Sequence, residues 1–146
     1  MQAYRKYQLD VFDAAKRANT IALLPTGSGK TVCACLYMQW ALEQTTTTGG
    51  IAVFLAPYAE LVNQQAAVIS AEVSFHAEAL HGQMACGVGD WEAADWEDFF
   101  QDVRVLIATP AIVLKALQHG FVRMESIVAL VADECHHVNH RCVVLA

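Results

Sequence analysis

The segment Leu24-Pro25-Thr26-Gly27-Ser28-Gly29-Lys30-Thr31 lies where a short apolar run ends and a helical periodicity begins, and it constrains the chain more than any other feature. A strand, a glycine turn and a helix in that order form the setting of a phosphate-binding loop. Gly27 and Gly29 let successive backbone amides face one anion, and the helix N-terminus adds partial positive charge. Lys30 has the reach for the outer phosphates of a nucleotide, and the Thr31 hydroxyl can ligate magnesium. The first glycine of the longer GxxxxGK[ST] pattern would fall on Leu24, so the shorter form Thr26 to Thr31 is what stands here. A loop that merely caps a helix is the plainer alternative, yet capping requires neither Lys30 nor the strand before it.

A second constellation, Asp133-Glu134-Cys135-His136, follows the apolar run Ile127 to Ala132 directly. Acids at the carboxyl end of a parallel strand emerge on the ligand side of the sheet. There Asp133 can hold magnesium and Glu134 can polarise a water attacking a phosphate, although an acidic pair capping a following helix remains the bland alternative.

Between these two sites strand-like and helix-like segments alternate, which gives a parallel sheet with helices on both faces, an α/β fold of the phosphate-loop kind. Helices are expected over Gln8 to Ala18, Lys30 to Gln44, Glu60 to Ala71, Trp91 to Gln101 and Ala111 to His119. Strands are expected over Thr20 to Leu24, Ile51 to Ala56, Ser74 to His81, Val103 to Ala108 and Ile127 to Ala132, with a glycine-bearing loop over Gly82 to Gly89. The 146 residues suit one domain.

The formal charge of −6 argues against a broad basic nucleic-acid surface. Six of the fifteen acids lie between Asp90 and Asp102 with no base among them, leaving nine acids against nine bases elsewhere. Any grip on RNA then rests on backbone amides and helix N-termini, or on a larger protein. Five cysteines form no CxxC pair, and no apolar run approaches the roughly 20 residues needed to cross a bilayer, so an intracellular, reducing setting with no membrane contact is expected. The crowd Cys135, His136, His137, His140 and Cys142 fits no familiar zinc spacing, and the Trp91, Trp96, Phe99, Phe100 set is spaced to pack one helix face.

Taken together, the glycine turn and Asp133-Glu134-Cys135-His136 resemble superfamily-two helicases, with a DECH version of the second motif. Phe54-Leu55-Ala56-Pro57 with Leu61-Val62 and Gln64-Gln65 is similar to motif Ia of that family, and Ala108-Thr109-Pro110 to its Thr-Pro motif. The resemblance implies RNA contacts at Pro57, Gln65 and Thr109, and Tyr7-Gln8 looks like the glutamine motif, implying that Gln8 reads adenine. It also implies an ATP-magnesium site built from Gln8, Thr26, Gly27, Ser28, Gly29, Lys30, Thr31 and Asp133, with Thr31 and Asp133 on the metal and Lys30 and Glu134 catalytic. The wording around Leu55-Ala56-Pro57, Val105 to Pro110 and Ile127 to His137 looks most like Dicer-like endoribonucleases. If Pro110 begins a helix, Thr109 is its N-cap beside free amides.

The resemblance spans roughly residues 4 to 137; Val138 to Ala146 reads as a divergent tail, and no Ser-Ala-Thr motif appears. In such motors that motif's strand lies between the phosphate-loop strand and the Asp133 strand, so a central strand is expected to be missing. Unpaired amides and carbonyls at the two inner edges cost about 1 to 3 kcal/mol each. A marginal, aggregation-prone chain is expected unless the two strands close up or the tail fills the gap. The resemblance further implies a second RecA-like domain as partner, supplying arginine fingers worth on the order of 10³ to 10⁵ in rate, and weak contact with double-stranded RNA. A phosphate-loop ATPase acting on protein or DNA, and a non-catalytic remnant, are the other readings.

Overall fold

In a computed structural model the structure describes residues 3–25, 27–46, 48–82, 90–134 and 142–145. The helices are α1 (Lys6–Ala15), α2 (Lys30–Gln44), α3 (Ala59–Glu72), α4 (Ala93–Phe100) and α5 (Pro110–Gln118). The strands are β1 (Thr20–Leu23), β2 (Ile51–Leu55), β3 (Ala77–Leu80), β4 (Val105–Ala108), β5 (Ile127–Asp133) and β6 (Cys142–Leu145), in the sheet order β1-β6-β5-β2-β4-β3.

Local chemistry sets most of these boundaries. Asp95 accepts a hydrogen bond from the Glu92 amide at 2.8 Å, closing the N-terminus of α4. Pro110 opens α5 with its ring already at a helical angle, which leaves Thr109 extended at the N-cap. Gly120 ends α5 at φ +72°, and the Phe121 amide turns back to the Ala116 carbonyl at 2.9 Å.

Period-two alternation divides the core. Ala52 and Phe54 of β2, Val105 and Ile107 of β4, and Ala129 and Val131 of β5 pack beneath α1, α2 and α3. Ile51 and Val53, with Leu106 and Ala108, face α4 and α5 on the other side. Trp96, only 1% exposed, anchors that second layer against Phe121 and Phe100, which agrees with reading the aromatic set as packing. Two apolar side chains of β1 stay outside both layers, since Ile21 and Leu23 are 67% and 69% exposed.

One part of the sheet departs from the parallel expectation. Strands β5, β2, β4 and β3 are parallel neighbours, whereas β6 runs antiparallel to both β1 and β5, with Ile21 opposite Val144 and Asp133 opposite Val143. The tail therefore occupies the central gap, and the inner edges of β1 and β5 are paired. The direction follows from chain length, because residues 134–141 are fewer than the dozen or more that a crossover to a parallel neighbour needs.

Cys33 and Cys35 are free and buried in α2. Burial pushes the Cys33 thiol up, and burial with Glu72 nearby pushes Cys35 up to about 12. Thiolate is the reactive form, so at pH 8 both should alkylate at least ~10-fold more slowly in the folded chain than in urea. Peptide mapping after iodoacetamide treatment checks this, and equal rates would contradict the burial. Among the described residues no helix is long and apolar enough to cross a membrane.

Candidate functional site

The turn between β1 and α2 is built by two glycines in the left-handed region, Gly27 at φ +77° and Gly29 at φ +81°. Both conformations favour glycine, and at Gly29 a Cβ would also meet Gln8 Nε2 at 2.4 Å, so the end of that side chain would have to move aside. Thr26 lies outside the described residues. Ser28 is buried, and its hydroxyl donates to the Pro25 carbonyl at 2.6 Å, tightening the turn from within.

Helix α1 holds the turn from one side. Gln8, 6% exposed, accepts from the Arg5 amide at 2.9 Å and donates through Nε2 to the Ser28 carbonyl at 3.3 Å. The Tyr7 hydroxyl donates to that same carbonyl. Two cavities open here: one of about 370 Å³ lined by Arg5, Tyr7, Pro25 and Ser28, and one of about 180 Å³ lined by Tyr4, Arg5, Gln8 and Gly29. The loop-holding role of Tyr7 and the lining role of Arg5 were not foreseen. Both residues act across more than twenty positions of sequence, and the adjoining Gln8 was the nearest available signal.

On the other side of the turn, a cavity of about 460 Å³ is lined by Gly29, Lys30, Thr31, Gln65, Asp133 and Glu134, among others. Its size falls within the range of small-molecule sites. The Lys30 ammonium donates to the Leu24 carbonyl at 3.1 Å, and the Thr31 hydroxyl donates to Gln65 Oε1 at 2.9 Å. Asp133 ends β5, and its carboxylate accepts from the Glu134 amide at 2.9 Å. Glu134 sits at φ +49°, a left-handed conformation that costs a non-glycine residue on the order of 1 kcal/mol and that tends to occur at functional sites.

The other expected positions fall as follows. Pro57 follows β2 and Thr109 follows β4, so both stand at the carboxyl edge of the sheet that also carries Asp133; the Ala56 amide donates to the Ala108 carbonyl at 3.0 Å between them. Tyr58, at the N-cap of α3, is 53% exposed. Gln65, expected beside RNA, lines the cavity with Thr31. Residues 135–140, which include most of the Cys/His cluster, lie outside the described residues, as does the loop 83–89.

A glycine turn entering a helix, opposite acids at the end of a parallel strand, defines the phosphate-loop α/β class. A family model described as "DEAD/DEAH box helicase" matches residues 5–143, and the chain belongs to that family. It is 41% identical over 135 residues to "Endoribonuclease Dicer homolog 1" of Arabidopsis thaliana, a match covering 91% of this chain and 7% of that protein. It is 40% identical over 135 residues to "Endoribonuclease Dicer homolog 2b" of Oryza sativa subsp. japonica, covering 91% of this chain and 10% of the relative. The chain thus spans no more than about a tenth of the length of these relatives. Among solved structures it superposes on the Pyrococcus furiosus Hef helicase domain with a TM-score of 0.76 and 27% identity, covering 92% of this chain and 27% of that one. A hypothetical ATP-dependent RNA helicase from Sulfolobus tokodaii, with a TM-score of 0.66, 19% identity and coverage of 92% of this chain and 38% of that one, shares the fold. These likenesses agree with the DECH-box, RecA-like reading and with the Dicer-like wording of the motifs.

Proposed function

We propose that this chain is the ATP-binding half of an ATP-dependent RNA helicase or translocase motor of Dicer-like type. One observation carries the reading: the cavity beneath the glycine turn brings a lysine, a hydroxyl and two carboxylates together from elements about a hundred residues apart. A donor set of one ammonium, one hydroxyl and hard carboxylate oxygens suits a triphosphate with magnesium. The left-handed Gly27 has open space where a side chain would stand, which leaves room for phosphate oxygens to approach the backbone.

In this reading Gln8 and Arg5 bind the adenine side of the nucleotide, and the amides at the start of α2 orient its phosphates. Lys30 leaves the Leu24 carbonyl to meet the outer phosphates. Thr31 and Asp133 would hold magnesium, which when bound neutralises charge on the phosphate oxygens. Glu134 stands beside Asp133 to take a proton from the attacking water. Lys30 is the cation among the described residues lining the cavity, so hydrolysis by this chain alone should be slow until a second RecA-like domain brings arginines opposite it.

Double-stranded RNA would bind weakly along the carboxyl edge, through Pro57, Thr109 and the free amides of α3 and α5. Gln65, the third residue of that set by resemblance, also lines the cavity beside Thr31. An intracellular setting, cytoplasmic or nuclear, suits a chain whose described thiols are free.

Equilibrium titration with labelled ATP and magnesium tests the proposal. Losing a charge-assisted contact costs about 1.5 to 3 kcal/mol, so Lys30→Ala should bind roughly tenfold to a hundredfold more weakly than the parent chain. Equal affinity for the two proteins removes the reading. Joined to a second motor half, the chain should hydrolyse ATP faster when double-stranded RNA is added; activity indifferent to RNA would point to an ATPase acting on protein or DNA.

A further inference from the structure

Helix α3 presents one face to the nucleotide cavity, and Leu61, Gln65 and Val68 recur there at helical spacing. From that face Gln65 reaches across 34 positions of sequence to the Thr31 hydroxyl, accepting its proton through Oε1 at 2.9 Å. A threonine hydroxyl has one proton and two lone pairs. To serve a cation it must turn an oxygen lone pair toward the metal, and its proton must find an acceptor on the side away from it. Asp133 and Glu134 line the same cavity, and the Asp133 carboxylate already accepts from the Glu134 amide.

We infer that Gln65 is a positioning residue for a divalent cation: it takes the proton of Thr31 and so directs the hydroxyl oxygen toward the metal shared with Asp133. The inference rests on the ATP-magnesium reading and adds to it a residue acting through Thr31 without touching the nucleotide. It gives Gln65 a role in the cavity besides the RNA contact that the resemblance implies. A glutamine suits the task because its carbonyl oxygen is neutral and remains an acceptor at any physiological pH, whereas a carboxylate there would add a further charge to the site. Partners of metal ligands typically contribute tenfold to a hundredfold in metal affinity.

The test uses the whole chain and a fluorescent ATP analogue, titrated with excess magnesium and again with EDTA. The readout is the ratio of the two affinities, which general damage to the fold would not change selectively. Gln65→Met, of similar length but without the acceptor, should lower the ratio about tenfold while the EDTA affinity stays near that of the parent. Gln65→Glu, which keeps an acceptor oxygen but adds a negative charge, should weaken binding in EDTA and should not lower the ratio. Thr31→Val should lower it, and adding Gln65→Met to Thr31→Val should cause no further loss. An unchanged ratio in Gln65→Met, a loss additive with Thr31→Val, or a fall in affinity for double-stranded RNA alone overturns the inference and leaves the nucleotide site standing. A parent chain that binds the analogue in neither condition overturns the functional reading and this inference together.

Discussion

Deleting residues 142–146 is expected to abolish cooperative folding or to lower the melting temperature by on the order of 10 °C or more. Strand β6 pairs with four residues of β1 and three of β5, so its removal exposes two facing edges inside the sheet. Each buried amide or carbonyl left unpaired costs about 1 to 3 kcal/mol, and three such groups approach the whole stability of an ordinary domain, about 5 to 15 kcal/mol. Closing β1 directly onto β5 would restore some bonds. It would also have to shift α1 and α2, which contact the same strands, and so disturb a close-packed layer in which Ala34 and Met38 of α2 are fully buried. Thermal scans by circular dichroism, with light scattering to follow aggregation, provide the measurement. A shortened chain that melts cooperatively at the parent temperature would show that β6 is dispensable.

That strand also marks the limit of what the sequence discloses. The five parallel strands and five helices announce themselves locally: Ile51 to Leu55 is a continuous apolar run, Pro110 starts a helix and Gly120 stops one. Cys142 to Leu145 is equally apolar, but nothing local says that it pairs with residues 20–23, and the resemblance fades just before it. Its insertion between β1 and β5 was one of two remedies for the expected gap, and only three-dimensional chain closure distinguishes between them. The site divides in the same way. The glycine turn and the acids after β5 are readable because their chemistry is written in consecutive residues. The bonds from Tyr7 and Gln8 to Ser28, and from Thr31 to Gln65, join distant segments, so no local pattern announces them.

The same tertiary bonds make Gly29→Ala the substitution with the largest expected effect on nucleotide binding. A left-handed conformation costs an alanine about 1 to 2 kcal/mol, and Gly29 has φ +81° and ψ 40°. Gly27, at φ +77°, imposes a comparable strain but offers a Cβ open space, whereas a Cβ at 29 would press on Gln8 Nε2. Gln8 is buried and bonded at both ends of its amide, so moving aside sacrifices its bonds to the Arg5 amide and the Ser28 carbonyl, at about 1 kcal/mol each. Gly27→Ala should therefore weaken ATP binding by about tenfold, and Gly29→Ala by more than ~100-fold. Most of the loss should register in affinity and less in melting temperature, because a solvent-side loop can relieve strain by changing shape while the sheet stays intact. Parallel titrations of the two variants decide the matter: a Gly29→Ala chain that binds ATP no worse than Gly27→Ala would mean that Gln8 does not brace the phosphate loop.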